Sequence, residues 1–215
     1  MMKRTAQLLA PLAFVLAGCN ADSPLPTDHH LHPGGVSLSD LTHSTSAQTI
    51  ASLRHLTAPF HNVDVALAEG YALLKAPPAT APDGCISSMT EGGMGYHYTR
   101  GNNLADDSIA LLDPEFLVFA PKEGPRKDGV ARTQLAAVEY FLPFTAKWPG
   151  PTDPTFKRAP TLHDFSTTSD LPNLAFVATP RFGGWMFHIW LWQDNPGGMF
   201  ANWNNSVPLC QGSTF

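Results

Sequence analysis

Trp185-Met186-Phe187-His188-Ile189-Trp190-Leu191-Trp192 is the stretch from which the fold can be read. In an extended chain successive side chains point to opposite faces. Trp185, Phe187, Ile189 and Leu191 therefore share one face, and Met186, His188, Trp190 and Trp192 share the other. Both faces are apolar, so the strand is covered on both sides and belongs inside a sheet. His188 is the exception, an imidazole among indoles. It reads either as a ligand or base in an aromatic-lined pocket, or as a core histidine satisfied by hydrogen bonds.

Other strand signals lie upstream. Leu174 to Thr179 is one. Phe116 to Ala120, bounded by Pro114 and Pro121, and Leu135 to Leu142 form another pair. The polar residues between them, with Gly124, Pro125 and Asp128-Gly129, make that pair a hairpin with a long loop. The glycines of Gly92-Gly93-Met94-Gly95 lead into the strand Tyr96 to Thr99. Residues 143–173 are proline-rich and are expected to run over the surface.

Further back, Ala47, Ile50, Leu53 and Leu56 recur at helical spacing until Pro59. Asn62 then suits an N-cap for a short helix with Asp64 in its first turn, Val63 and Leu67 on one face, and Gly70 at its end. The expected fold class is α+β: two short N-terminal helices, then a mainly antiparallel β-sheet, curved or closed toward a barrel. One globular domain spans 46–215.

Two more polar residues interrupt apolar strands. His97 stands between Tyr96 and Tyr98, after glycines that let backbone approach closely. Glu139 stands inside Ala136-Ala137-Val138-Glu139-Tyr140-Phe141, where a carboxylate needs a partner. If His97, Glu139 and His188 converge, two imidazoles and one carboxylate make a divalent metal site. His61 is a candidate fourth ligand, and Trp190, Trp192 and Tyr98 are candidate pocket-lining residues. Against this stands the structural alternative, since ligands so far apart in sequence carry no spacing signature.

Other oxygen- and nitrogen-rich segments have simpler readings. The Asp194-Asn195-Pro196-Gly197-Gly198 run is a turn, with too few carboxylates for calcium. Asp164 to Asp170 reads as a capped loop. The tract His29-His30-Leu31-His32 is either a weak metal-capturing element or part of a solvated linker, and the polar composition around it favours the linker. No Gly-x-Ser-x-Gly elbow, Walker loop, dinucleotide fingerprint or Cys-x-x-Cys occurs.

The chain opens with the basic Met1-Met2-Lys3-Arg4 and an apolar run from Ala6 to Ala17, broken by Gln7 and Pro11. That run falls short of the roughly 20 residues of a membrane-spanning helix and has the form of a signal peptide. Leu16-Ala17-Gly18-Cys19 resembles the lipobox of bacterial lipoproteins. The resemblance implies a signal peptide over 1–18, cleavage before Cys19 and acylation of its thiol, with a lipidated, flexible linker over 19–45. It also implies export and lipid anchoring in the cell envelope. Asn20, where an aspartate would favour inner-membrane retention, implies the outer membrane if the envelope is Gram-negative.

Loss of Lys3 and Arg4 with that peptide takes the formal net charge from −5 to −7. The most basic segment, Lys122 to Arg132, also holds Glu123 and Asp128, so the electrostatic footprint of a nucleic-acid binder is missing. With Cys19 lipidated, Cys85 and Cys210 remain as an even pair in an oxidising compartment. A disulfide between them is expected, with a nominal stabilisation of about 4–5 kcal/mol from chain entropy.

Phe60-His61-Asn62-Val63-Asp64 to Gly70-Tyr71, Met94-Gly95-Tyr96-His97-Tyr98, Val138-Glu139-Tyr140, and His188 through Trp192 to Asn195-Pro196 and Gly198-Met199-Phe200 resemble an uncharacterised family of exported bacterial proteins. The resemblance spans roughly 50–210 and implies a single domain from the first helix to Cys210. It implies no activity. The leading expectation is an envelope-anchored lipoprotein that binds a small ligand or an envelope partner without catalysis. The alternative is a metal-dependent protein or enzyme using His97, His188 and Glu139. A third reading, a structural spacer, predicts no enclosed pocket beside Trp190.

Overall fold

The chain divides into two units, Met1–Gly35 and Val36–Phe215. The structure, a computed structural model, describes residues 38–75, 84–122, 133–165 and 170–210, all within the second unit. Cys19, the lipobox, the His29–His32 tract and the loop 123–132 lie outside the described residues. Among the described residues no helix is long and apolar enough to cross a membrane.

One long helix and one of only six residues, rather than two comparable short helices, precede the sheet. Helix α1 covers Leu38–Thr57 and ends one residue before the 3-10 turn Ala58–His61, which contains Pro59. Its buried stripe is Ile50, Leu53 and Thr57, whereas Leu56 is half exposed. The Thr57 hydroxyl donates to the Leu53 carbonyl at 2.7 Å, so a polar side chain completes the stripe at no cost in unmet hydrogen bonds. Helix α2, Val63–Ala68, has only six residues. Asn62 caps it as expected, its side chain accepting from the Asp64 N–H at 3.1 Å. Its inward residue is Ala66, and Leu67 faces solvent.

Seven strands follow: β1 (Ala72–Leu73), β2 (Cys85–Ser88), β3 (Gly92–Thr99), β4 (Phe116–Pro121), β5 (Thr133–Pro143), β6 (Val177–Thr179) and β7 (Gly184–Ile189). All pairings are antiparallel, in the order β1-β3-β4-β5-β7-β6, with β2 sharing an edge of β3. The sheet does not close into a barrel. Its margins are the two-residue β1 and the three-residue β6, which pair with their inner neighbours and not with each other. Cys85 and Cys210 are bonded, across a sequence separation of 125.

β7 is buried on both faces, as its composition requires. On one face Trp185, Phe187 and Ile189 join Leu117, Phe119, Val138, Tyr140 and Leu142 beneath Leu53 and Ala66. The proline-rich segment contributes to this core instead of wandering over the surface. Leu162 and Leu171 are buried in it, and Phe156 stacks on Trp185 with centroids 5.7 Å apart. The other face carries Phe116, Val118, Ala137, Met186 and Trp190.

A register shift between Val118 and Phe119 leaves Ala136 unpaired in β5. The bulge turns Leu135 onto the face of Val138, where unbroken alternation would have sent it to the opposite side. β7 ends at Ile189, earlier than its composition predicts, because the Trp190 N–H donates to Met199 rather than continuing the ladder. The chain then turns through Asn195, whose side chain accepts from the Gly197 N–H at 2.9 Å, which supports the turn reading of this run.

From that turn the chain returns as a strap over the second face. Asn204 bridges Gly93, Val207 packs on Val118 and Ala137, and Cys210 reaches Cys85. A Cβ at Gly93 would lie 2.7 Å from the Val207 carbonyl oxygen, so only glycine lets the strap come this close.

Candidate metal centre

Glu139 occupies the middle of β5, directly opposite His188 of β7 and Phe116 of β4. Direct register brings Glu139 and His188 together on the second face. His97 stands two strands away, opposite Val118. Neighbouring strands are about 4.8 Å apart, so His97 and Glu139 must both lean over β4 to meet. They do: His97 Nε2 lies 3.1 Å from Glu139 Oε2, and His188 Nε2 lies 3.5 Å from the same oxygen. One donor atom from each residue falls within 4.8 Å of the others, the one such group among the described residues. His97 and Glu139 are fully buried and His188 is 1% exposed.

The backbone sets the orientation of His97. Its Nδ1 lies 3.0 Å from the Gly95 carbonyl oxygen. A carbonyl can only accept, so Nδ1 carries a proton, and Nε2 is the ring nitrogen that faces Glu139. Gly95 takes a φ of +111°, and a Cβ there would stand 2.5 Å from the Phe119 carbonyl oxygen. The glycine is thus required for the bend that aims its own carbonyl at the ring.

His188 is stacked on Trp190, with centroids 6.0 Å apart and planes 10° from parallel. The Trp190 indole N–H donates to Ala201 at 2.7 Å, which ties this wall of the site to the strap. Burial pushes the His188 pKa below its ordinary value, and nearby His97 adds to the shift, while Glu139 and the Asn202 side chain oppose it. Neutral imidazole is the favoured form.

The structure brings together His97, Glu139 and His188 and leaves out the other candidates. His61 is exposed on its 3-10 turn, edge-on to Trp192 with centroids 4.5 Å apart. Trp192 packs on the opposite face, its indole N–H donating to Thr57 at 3.2 Å, because the strand has ended before it. Tyr98 also lies on that face, against Phe119. Trp190 is beside His188 as a packed wall. The cavity on this face lies further along β7, at Met186. Asn202 and the Gly95 carbonyl are parts of the site that the sequence does not single out. Gly95 belongs to a glycine run suited to close approach, whereas Asn202 sits in the strap with no local signal.

No protein-family model matches this chain, and neither a curated protein nor a solved structure does.

Proposed function

We propose that the protein binds one divalent transition-metal ion through His97, Glu139 and His188, in a domain held at the cell envelope by lipid on Cys19. One observation carries the metal reading. His97 Nε2 and both Glu139 carboxylate oxygens are buried without a hydrogen-bond partner among the described residues, and the His188 ring, buried beside them, has the Asn202 side chain as a neighbour. Buried polar atoms are normally satisfied, and an unpaired buried carboxylate costs several kcal/mol. Here the orphaned atoms face one another, with His97 Nε2 3.1 Å and His188 Nε2 3.5 Å from the same Glu139 oxygen. A proton on His188 would relieve this, but burial opposes it.

A cation among the three residues satisfies the lone pairs together. Two imidazoles and a carboxylate suit zinc or ferrous iron. The hydrogen bond from His97 to the Gly95 carbonyl is the kind of outer contact that fixes a ligand's tautomer. Such an ion, when bound, polarises a water or carbonyl placed on it. The protein's own contribution is to hold three donors, fix one tautomer and exclude bulk water.

Elemental analysis of the full chain tests this, alongside His188→Ala and Glu139→Gln. About one equivalent of metal in the unaltered chain, lost in both variants, is expected. A chain that stays free of metal after incubation with zinc, iron and copper salts would overturn the reading and leave His188 a core histidine.

A further inference from the structure

A histidine is fixed on a metal by both of its ring nitrogens, one on the ion and the other on an outer acceptor. For His97 the backbone supplies that acceptor, since Nδ1 donates to the Gly95 carbonyl while Nε2 faces Glu139. His188 also turns Nε2 toward Glu139, 3.5 Å from the same oxygen. Its Nδ1 needs an acceptor of its own, or the ring is free to present the wrong nitrogen.

Asn202 is placed to be that acceptor. It follows Ala201 in the strap, whose carbonyl accepts from the Trp190 indole at 2.7 Å, and that indole is stacked on the His188 ring. The Asn202 side chain therefore reaches the imidazole, where its hydrogen bond favours the protonated ring. A partner with that effect accepts from the ring, so the amide presents its oxygen and not its N–H. Asn202 Oδ1 is buried and has no other partner among the described residues. With Nε2 directed at Glu139, the ring atom left to meet it is Nδ1.

We propose that Asn202 is the positioning residue of His188: its amide oxygen takes the Nδ1 proton and so commits Nε2 to the metal. The proposal rests on the metal reading and gives the two histidines one plan. Each donates an Nδ1 proton to a neutral oxygen, that of Gly95 from β3 and that of Asn202 from the strap. Each turns Nε2 toward the same carboxylate oxygen. The strap is fastened independently of any ion, Asn204 pairing with Gly93 and Cys210 with Cys85, so the amide is set in place before metal arrives.

Zinc is the probe, returned to the full chain after chelation, with a chromophoric chelator as competitor. Asn202→Leu keeps the bulk and removes the acceptor, and zinc affinity should fall roughly 10–100-fold, the usual cost of losing such an outer partner. Asn202→Asp keeps an acceptor oxygen and should recover most of that loss. In the zinc-loaded chain, isotope-labelled at histidine and read by nuclear magnetic resonance, His188 should show a bound Nε2 and a protonated Nδ1. That Nδ1 proton should exchange with solvent faster in Asn202→Leu.

Zinc on Nδ1 of His188 in the unaltered chain would overturn the proposal, and this reading needs no variant to fold. Equal affinity in the parent and Asn202→Leu would do the same, as would a loss that Asn202→Asp shares in full. Each of these leaves the metal centre standing. A chain that takes up no zinc removes the metal centre, and the proposal with it.

Discussion

Glu139 lies between Phe116 and His188 with both oxygens unmet, which makes its charge the most informative single feature to remove. Glu139→Gln keeps the shape and deletes the anion. In chelator the variant should be more stable than the parent by about 1–3 kcal/mol, because an uncompensated buried charge has gone. With metal present the order should reverse, and thermal unfolding in both conditions reads the change of sign. Glu115 offers a second test. Burial raises its pKa from 4.5 to about 8, with Asp106 and Glu139 adding to the shift. Between about pH 4.5 and 8 the folded state keeps a proton that the unfolded chain has released, so stability falls as pH rises through that window. Glu115→Gln should flatten this slope and stabilise the fold at pH 7 by something on the order of 3 kcal/mol, as followed by urea unfolding across pH. His97, Glu139 and His188 could be picked out from sequence because each interrupts an apolar strand. Tyr98 could not line their site for a simple reason: it is adjacent to His97 in the chain and therefore points away. Asn202 is adjacent to His188 only through the return of the strap.

Strand β3 shows how an element's backbone positions chemistry. Gly95→Ala would force a side chain against the Phe119 carbonyl at a φ that L residues rarely adopt. The expected cost is about 3 kcal/mol in chemical denaturation, together with weaker metal retention as the Gly95 carbonyl leaves the His97 ring. The β4–β5 hairpin was readable from its two apolar runs and the turn residues between them. Its bulge was not, since Leu135-Ala136-Ala137-Val138 contains nothing that marks where alternation slips. The proline-rich segment misleads for a related reason. Its prolines announce loops correctly, but a loop can still bury Leu162, Leu171 and Phe156 when an apolar sheet face lies beneath it. The lengths of α1 and α2 depended on what each could cover. Ile50 and Leu53 meet the sheet, whereas only Ala66 of α2 is buried.

For the whole molecule, anchoring is the outstanding expectation. Cells supplied with labelled palmitate should incorporate label into the unaltered chain and none into Cys19→Ser, and label in the variant would refute the lipobox reading. The α+β class and a mainly antiparallel sheet could be read from element order. Closure could not, because it depends on edge strands as brief as Ala72–Leu73 and Val177–Thr179. The strap has a consequence of its own. It leaves β7 at Trp190, crosses over the donor residues' face, and is fastened at Cys210 to the far side of the sheet. A cover tethered at both ends cannot peel away from one. Any ion on His97, Glu139 and His188 is therefore released on a clock set by opening of the domain, indifferent to how much chelator waits outside, and cutting the Cys85–Cys210 bond speeds that clock.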